Sequence, residues 1–170
     1  MKKKIFYLVV ICLVTISCSL SSQGNYDPVI NFTNGDADMN AAIAKAQETL
    51  PLFMEAFQSP TPTQADFSIK VRFPYGGNGA AEHIWINDLT YNNDLFEGTI
   101  GNNPVYVKEL KYGDHVTIKT SDITDWMIID GGKLLGGYTI HVIHNRMSES
   151  ERERTDHELL FSIPDEPALP

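Results

Sequence analysis

Cysteine is nearly absent from this chain: two occur in 170 residues, Cys12 and Cys18. Cys12 lies inside an N-terminal apolar stretch and leaves with it on processing, so the mature chain has no internal disulfide and must rely on core burial. Long apolar runs are also missing. The stretch from Ile5 to Ile16 falls short of the roughly 18 residues that a spanning helix requires. Positive charge is scarce, with 13 basic against 22 acidic residues and a net charge of −9. Such a surface repels phosphate backbones, which argues against a nucleic-acid partner. There are no internal repeats, and Gly113, Gly131-Gly132 and Gly136-Gly137 fit neither a dinucleotide fingerprint nor a phosphate loop. No serine stands in a nucleophile elbow. No cofactor is expected, and the residues assemble no catalytic set.

What is present begins with Lys2-Lys3-Lys4, followed by the apolar run and then by Ser17-Cys18 and a polar stretch. This is the order of a signal peptide. Thr15-Ile16-Ser17-Cys18 resembles the lipobox of bacterial lipoproteins, although Thr15 stands where Leu is commoner. The expectation is therefore a signal peptide over 1–17 and a Cys18 that is lipidated to become the first mature residue. Losing the three lysines leaves 10 basic against 22 acidic residues, a net of −12. Acyl chains contribute about 0.8 kcal/mol per buried methylene, enough for two or more chains to hold the domain at a bilayer. Residues 18–35 read as a flexible tether, and the expected setting is the bacterial cell envelope. In a two-membrane organism, that means the outer membrane or a periplasm-facing site, with a protein partner there.

Folding is expected to start near Asp36, with a single α+β domain over 36–161 and a disordered tail over 162–170. Met39, Ile43, Ala46, Leu50, Phe53 or Met54, and Phe57 recur at helical steps. Pro51 interrupts them and implies a kink or two short helices. Phe67, Ile69, Val71 and Phe73 alternate with polar residues as in a half-buried strand. His83 to Tyr91 reads as its antiparallel hairpin partner across a glycine-rich loop. Further strands are expected at Phe96–Ile100, His115–Lys119 and Trp126–Ile129. Tyr138–His144 reads as a last strand, with a buried helix as the alternative, and Ser148 opens a short charged helix. The expected fold is an N-terminal kinked helix packed on a strongly bent antiparallel sheet of five or six short strands, open or partly closed as a small barrel.

Several short segments, in this order, resemble the YegJ-like family of uncharacterised bacterial proteins. They are Thr49-Leu50-Pro51-Leu52-Phe53, Phe67-Ser68-Ile69-Lys70-Val71, Glu82-His83-Ile84-Trp85-Ile86 and Phe96-Glu97-Gly98-Thr99-Ile100. Asn103-Pro104, Gly113-Asp114, Ile123-Thr124-Asp125-Trp126-Met127 and Gly136-Gly137-Tyr138-Thr139 follow. The resemblance covers roughly residues 41–143 and implies one α+β domain with no reaction attached. Similar-looking small domains suggest, by loose analogy, immunity or accessory proteins for toxins.

If the domain binds a partner, the polar and aromatic candidates are Glu82, His83, Trp85, Asn103, Asp125, Trp126 and Tyr138. Glu82 and His83 are adjacent, but on a strand they face opposite ways and make no dyad. A hydrolase would instead need His83 oriented by Asp88, Asp114 or Asp125. Trp126 is expected to fill the core. His141 and His144 fall on opposite faces of a strand or on one face of a helix, and in neither case do they complete a metal ligand set. The preferred reading is a non-enzymatic, membrane-anchored binding or accessory module.

Overall fold

The apolar repeat that starts at Met39 forms a helix, α1 (Ala37–Gln58), whose buried residues Met39, Ala42, Ala46, Thr49, Phe53 and Ala56 alternate steps of three and four. Asp36 caps it, accepting from the Met39 N–H at 3.1 Å. The helix runs through Pro51 as one element rather than breaking into two. This architecture comes from a computed structural model, which describes residues 36–77 and 79–170. The expected signal peptide, Cys18 and the expected tether lie outside the described residues.

Six strands follow: β1 (Gln64–Pro74), β2 (Ala81–Asn92), β3 (Leu95–Ile100), β4 (His115–Lys119), β5 (Ile123–Asp130) and β6 (Lys133–Gly136). They form one antiparallel sheet in the order β4-β3-β2-β1-β5-β6. The sheet is open, with β4 and β6 at its edges, so the partly closed barrel is not formed. Register shifts interrupt β1–β5 and β2–β3.

One face of the sheet carries the core. Ile69, Val71, Ile84, Ile86, Phe96, Trp126 and Ile128 pack with Ala46 and Phe53 of α1. Phe53 is fully buried, with the rings of Phe57, Phe67, Phe96 and Trp126 around it. The Trp126 indole N–H donates to the Ala46 carbonyl (3.1 Å) and to Thr49 Oγ1 (3.2 Å), locking the helix to β5 by polar as well as apolar contacts.

The sequence reading of Tyr138–His144 as a strand is overturned. Tyr138–Arg146 is a helix, α2, entered through Gly136 (φ +67°) and Gly137 (φ +61°). Two consecutive left-handed residues end β6 and turn the chain, and an apolar stretch this short carries no decisive period. β6 itself was missed because both Leu134 and Leu135 are buried, which removes the alternation that marks a half-exposed strand. Ser148 opens α3 (Glu149–Glu158) with a capping box closed by Glu151, as the sequence indicates. The segment 162–170, expected as a disordered tail, lies along β6. Ser162 and Ala168 carbonyls accept from the Leu134 and Gly136 N–H groups, both at 2.9 Å.

Gly136 is the sharpest backbone constraint, since a Cβ there would stand 2.5 Å from the Trp126 ring in addition to its positive φ. Gly136→Ala is expected to destabilise the domain by about 3 kcal/mol or more. Urea unfolding monitored by tryptophan fluorescence checks this, and a loss under about 1 kcal/mol would contradict the packing described.

Candidate functional site

Strand alternation sends a second set of side chains to the face of the sheet opposite the apolar core. Ser68, Lys70 and Arg72 of β1, His83, Trp85 and Asn87 of β2, and Asp125 of β5 share that face. Register aligns them in rows. Lys70 stands opposite Trp85 on one side and Asp125 on the other, and Arg72 stands opposite His83.

Asp125 is fully buried. Its Oδ1 accepts from the N–H groups of Trp126 (2.9 Å) and Tyr138 (3.2 Å), and its Oδ2 accepts from Thr139 N–H (2.8 Å) and Thr139 Oγ1 (2.5 Å). The carboxylate thus caps α2 from another strand, where Gly137 has no side chain to do so. Burial pushes the Asp125 carboxyl upward, while the nearby Lys70 charge and the bonds from Thr139 and Trp126 pull it down. All four partners are donors, which suits the ionised, acceptor-only form.

Lys70 is also buried, with 8 % of its surface exposed. Its Nζ donates to Thr139 Oγ1 at 2.9 Å and stands 4.7 Å from the centre of the Trp85 ring. Thr139 therefore relays between ammonium and carboxylate, and Trp85 gives the cation an aromatic face.

His83 is half-buried beside this row. Its Nδ1 is 2.9 Å from Thr124 Oγ1, and that hydroxyl donates its only hydrogen to the Lys70 carbonyl at 3.2 Å. The hydroxyl must then accept from His83, which places the proton on Nδ1 and leaves Nε2 as an acceptor. Burial first, and then the charges of Lys70 and Arg72, hold the imidazole down to about 4 from an ordinary 6.5.

The sequence candidates part company here. His83, Trp85 and Asp125 come together on one face. Glu82 faces the core side, where its carboxylate accepts from the N–H groups of Val105 (2.7 Å), Tyr106 (2.8 Å) and Val107 (3.0 Å) and fastens the loop after β3. Trp126 and Tyr138 are buried against each other, edge to face at 5.9 Å. Asn103 is exposed in the loop, and its neighbour Asn102 instead accepts from Trp85 N–H at 2.8 Å. Sequence reasoning missed Lys70, Arg72, Thr124 and Thr139. By alternation alone Lys70 and Arg72 belong to the solvent side of a strand, and the cross-strand register that gives them partners is not written locally.

The pairings required for a His83 hydrolase are not formed. Asp88 accepts from Thr99 Oγ1 (2.6 Å), Asp114 from Lys111 N–H (2.8 Å), and Asp125 is committed to α2. His83 bonds a hydroxyl instead. On α2, His144 pairs with Asp156 at 2.9 Å, and His141 is buried with its Nε2 unbonded. Among the described residues no group of three or more His, Cys, Asp or Glu side chains is placed to hold a metal ion.

Residues 36–162 match the family model described as uncharacterized protein conserved in bacteria, DUF2314. The chain belongs to that family. It is similar to the uncharacterized protein YegJ of Escherichia coli K12, with 39% identity over 102 residues, covering 60% of this chain and 64% of that protein. It is also similar to a putative ankyrin repeat protein of Neisseria meningitidis serogroup B, with 31% identity over 144 residues, covering 81% of this chain and 56% of that protein. The chain thus spans less than two thirds of the length of either relative. No solved structure matches it. The family match takes in every residue of the polar face, from Ser68 to Thr139.

Two outcomes follow from the site. Asp125→Asn would turn an amide NH2 toward N–H donors whichever way it flips, and it is expected to cost about 3 kcal/mol or more, whereas Thr139→Ser, which keeps the hydroxyl, is expected to cost far less. Urea denaturation of both variants checks the contrast. Because the folded imidazole titrates below the unfolded one, the unfolded chain binds the extra proton. The stability supplied by neutral His83 is full above about 6.5 and is lost as pH falls toward about 4. Thermal melts from pH 7 to 4 are expected to decline more steeply for the wild type than for His83→Gln, and parallel declines would remove His83 as the cause.

Proposed function

We propose that this chain is an exported, lipid-anchored accessory protein of the cell envelope whose α+β domain binds a partner through the polar face of its sheet. This reading calls for no hydrolytic step. The observation that carries the reading is the way that face is built. Lys70, Asp125, Thr124 and Thr139 are buried and bonded to one another, holding His83 and Trp85 in fixed positions. The Asp125 carboxylate is spent on four donors and His83 bonds a hydroxyl, so the two form no acid–base pair.

The anchoring half of the reading rests on Lys2-Lys3-Lys4, the apolar run and Thr15-Ile16-Ser17-Cys18. Mass spectrometry of the mature protein is expected to find an acylated N-terminal Cys18, and Cys18→Ala is expected to release the domain from membranes. An unmodified N-terminus downstream of Cys18 would sink the anchoring claim. The binding half predicts that a stoichiometric envelope partner co-purifies with the native protein and is lost on Trp85→Ala with the fold intact by circular dichroism. Equal recovery with the variant would move the interface elsewhere.

A further inference from the structure

The geometry points to an oxyanion site on this face, in which Arg72 and His83, opposite each other on β1 and β2, take a small carboxylate- or phosphate-type group and His83 gains a proton as it binds. This rests on the polar face being the binding face and names the chemistry of what it recognises.

Three cationic or proton-accepting groups converge here. Arg72 and Lys70 lie on one face of β1, and His83 stands directly across from Arg72. The chain as a whole is acidic, with 22 carboxylate side chains. Even so, Arg72 forms no ion pair among the described residues, and its side-chain hydrogen bond runs from Nη2 to the Gly79 carbonyl at 2.8 Å. Arg72 is exposed, so the remaining donors of its planar fork are open to a bidentate acceptor. The nearest carboxylate in the row, Asp125, has all of its bonds on α2 and the Trp126 N–H, so it does not compete for the fork.

The groups that face His83 from its neighbours decide the proton chemistry. β1 contributes the charges of Lys70 and Arg72, and β5 contributes the Thr124 hydroxyl, which fixes the Nδ1–H tautomer. The free nitrogen, Nε2, is therefore an acceptor and cannot bond an anion until it is protonated. Without a ligand, two positive neighbours and burial oppose that proton. A bound anion offsets those positive charges and accepts from the protonated Nε2, so proton and anion favour each other's binding. Anion affinity should then rise as pH falls through the range in which His83 titrates.

The test is an NMR titration of the His83 ring in the intact folded domain from pH 7 to 3. Sulfate serves as the tetrahedral probe, formate as the carboxylate probe, and chloride holds ionic strength constant. Sulfate does not titrate in this range. With the favoured probe the His83 midpoint is expected to rise by about one pH unit, equivalent to a tenfold tighter complex for the protonated protein. Arg72→Gln, an exposed substitution, is expected to abolish the rise. A rise with only one probe identifies the geometry of the natural group. Identical midpoints in sulfate, formate and chloride overturn the proposal, as does a full rise retained in Arg72→Gln. Failure here is distinguishable from failure of the binding-face reading, because a partner lost on Trp85→Ala would leave that reading standing without an anion.

Discussion

The Asp125 carboxylate holds this fold together at the point where sequence-distant parts must meet. It lies on β5, fully buried, and receives the first N–H groups of a helix that begins 13 residues later. A helix start leaves several donors unsatisfied, and here the local chain offers only Gly137. Removing a carboxylate from water is expensive, and four donors together with the nearby Lys70 charge offset that cost. The left-handed Gly136 and Gly137 are required for the same reason: they turn the chain so tightly onto Trp126 that the helix start arrives over the carboxylate.

That single capping interaction also shapes the polar face of the sheet. Thr139, held by Asp125, accepts the Lys70 ammonium, and Lys70 in turn lies over Trp85. The Lys70 backbone carbonyl accepts from Thr124, whose hydroxyl orients His83. A continuous set of bonds therefore runs from the α2 cap to the histidine across three adjacent strands. Side chains tied in this way have little ordering left to lose in any contact. Arg72, by contrast, sits at the exposed end of the row, where its guanidinium bonds the Gly79 carbonyl.

Glu82 is instructive by contrast. It is also a buried carboxylate bonded to consecutive backbone N–H groups, but it lies on the opposite face from His83 and secures the loop around Val105–Val107. Sequence adjacency of Glu82 and His83 has no chemical meaning once the strand places them apart. At the far end, Arg146 joins the start of α1 through Asp36 (2.5 Å) and Asp38 (2.9 Å), so α2 is fixed at both termini. The Arg146 guanidinium beside Asp36 holds that carboxyl down to about 2.

Local patterning alone was enough to define α1, the first five strands and the Ser148 cap of α3. Each is written in side-chain period or capping chemistry within a dozen or so residues, and the ordered short signatures were enough to suggest the family. The opposite-face placement of Glu82 and His83 and the core position of Trp126 were legible for the same reason, since alternation is a property of the strand itself. The helix at Tyr138–Arg146, β6, and the course of 162–170 along β6 were not legible, because each depends on a partner elsewhere in the chain: Asp125 for the helix, β5 and the C-terminal segment for β6. The same holds for the site. Lys70, Arg72, Thr124 and Thr139 become a constellation only when β2, β1 and β5 lie side by side in one register, and register is fixed by tertiary packing of the apolar face that these residues do not belong to.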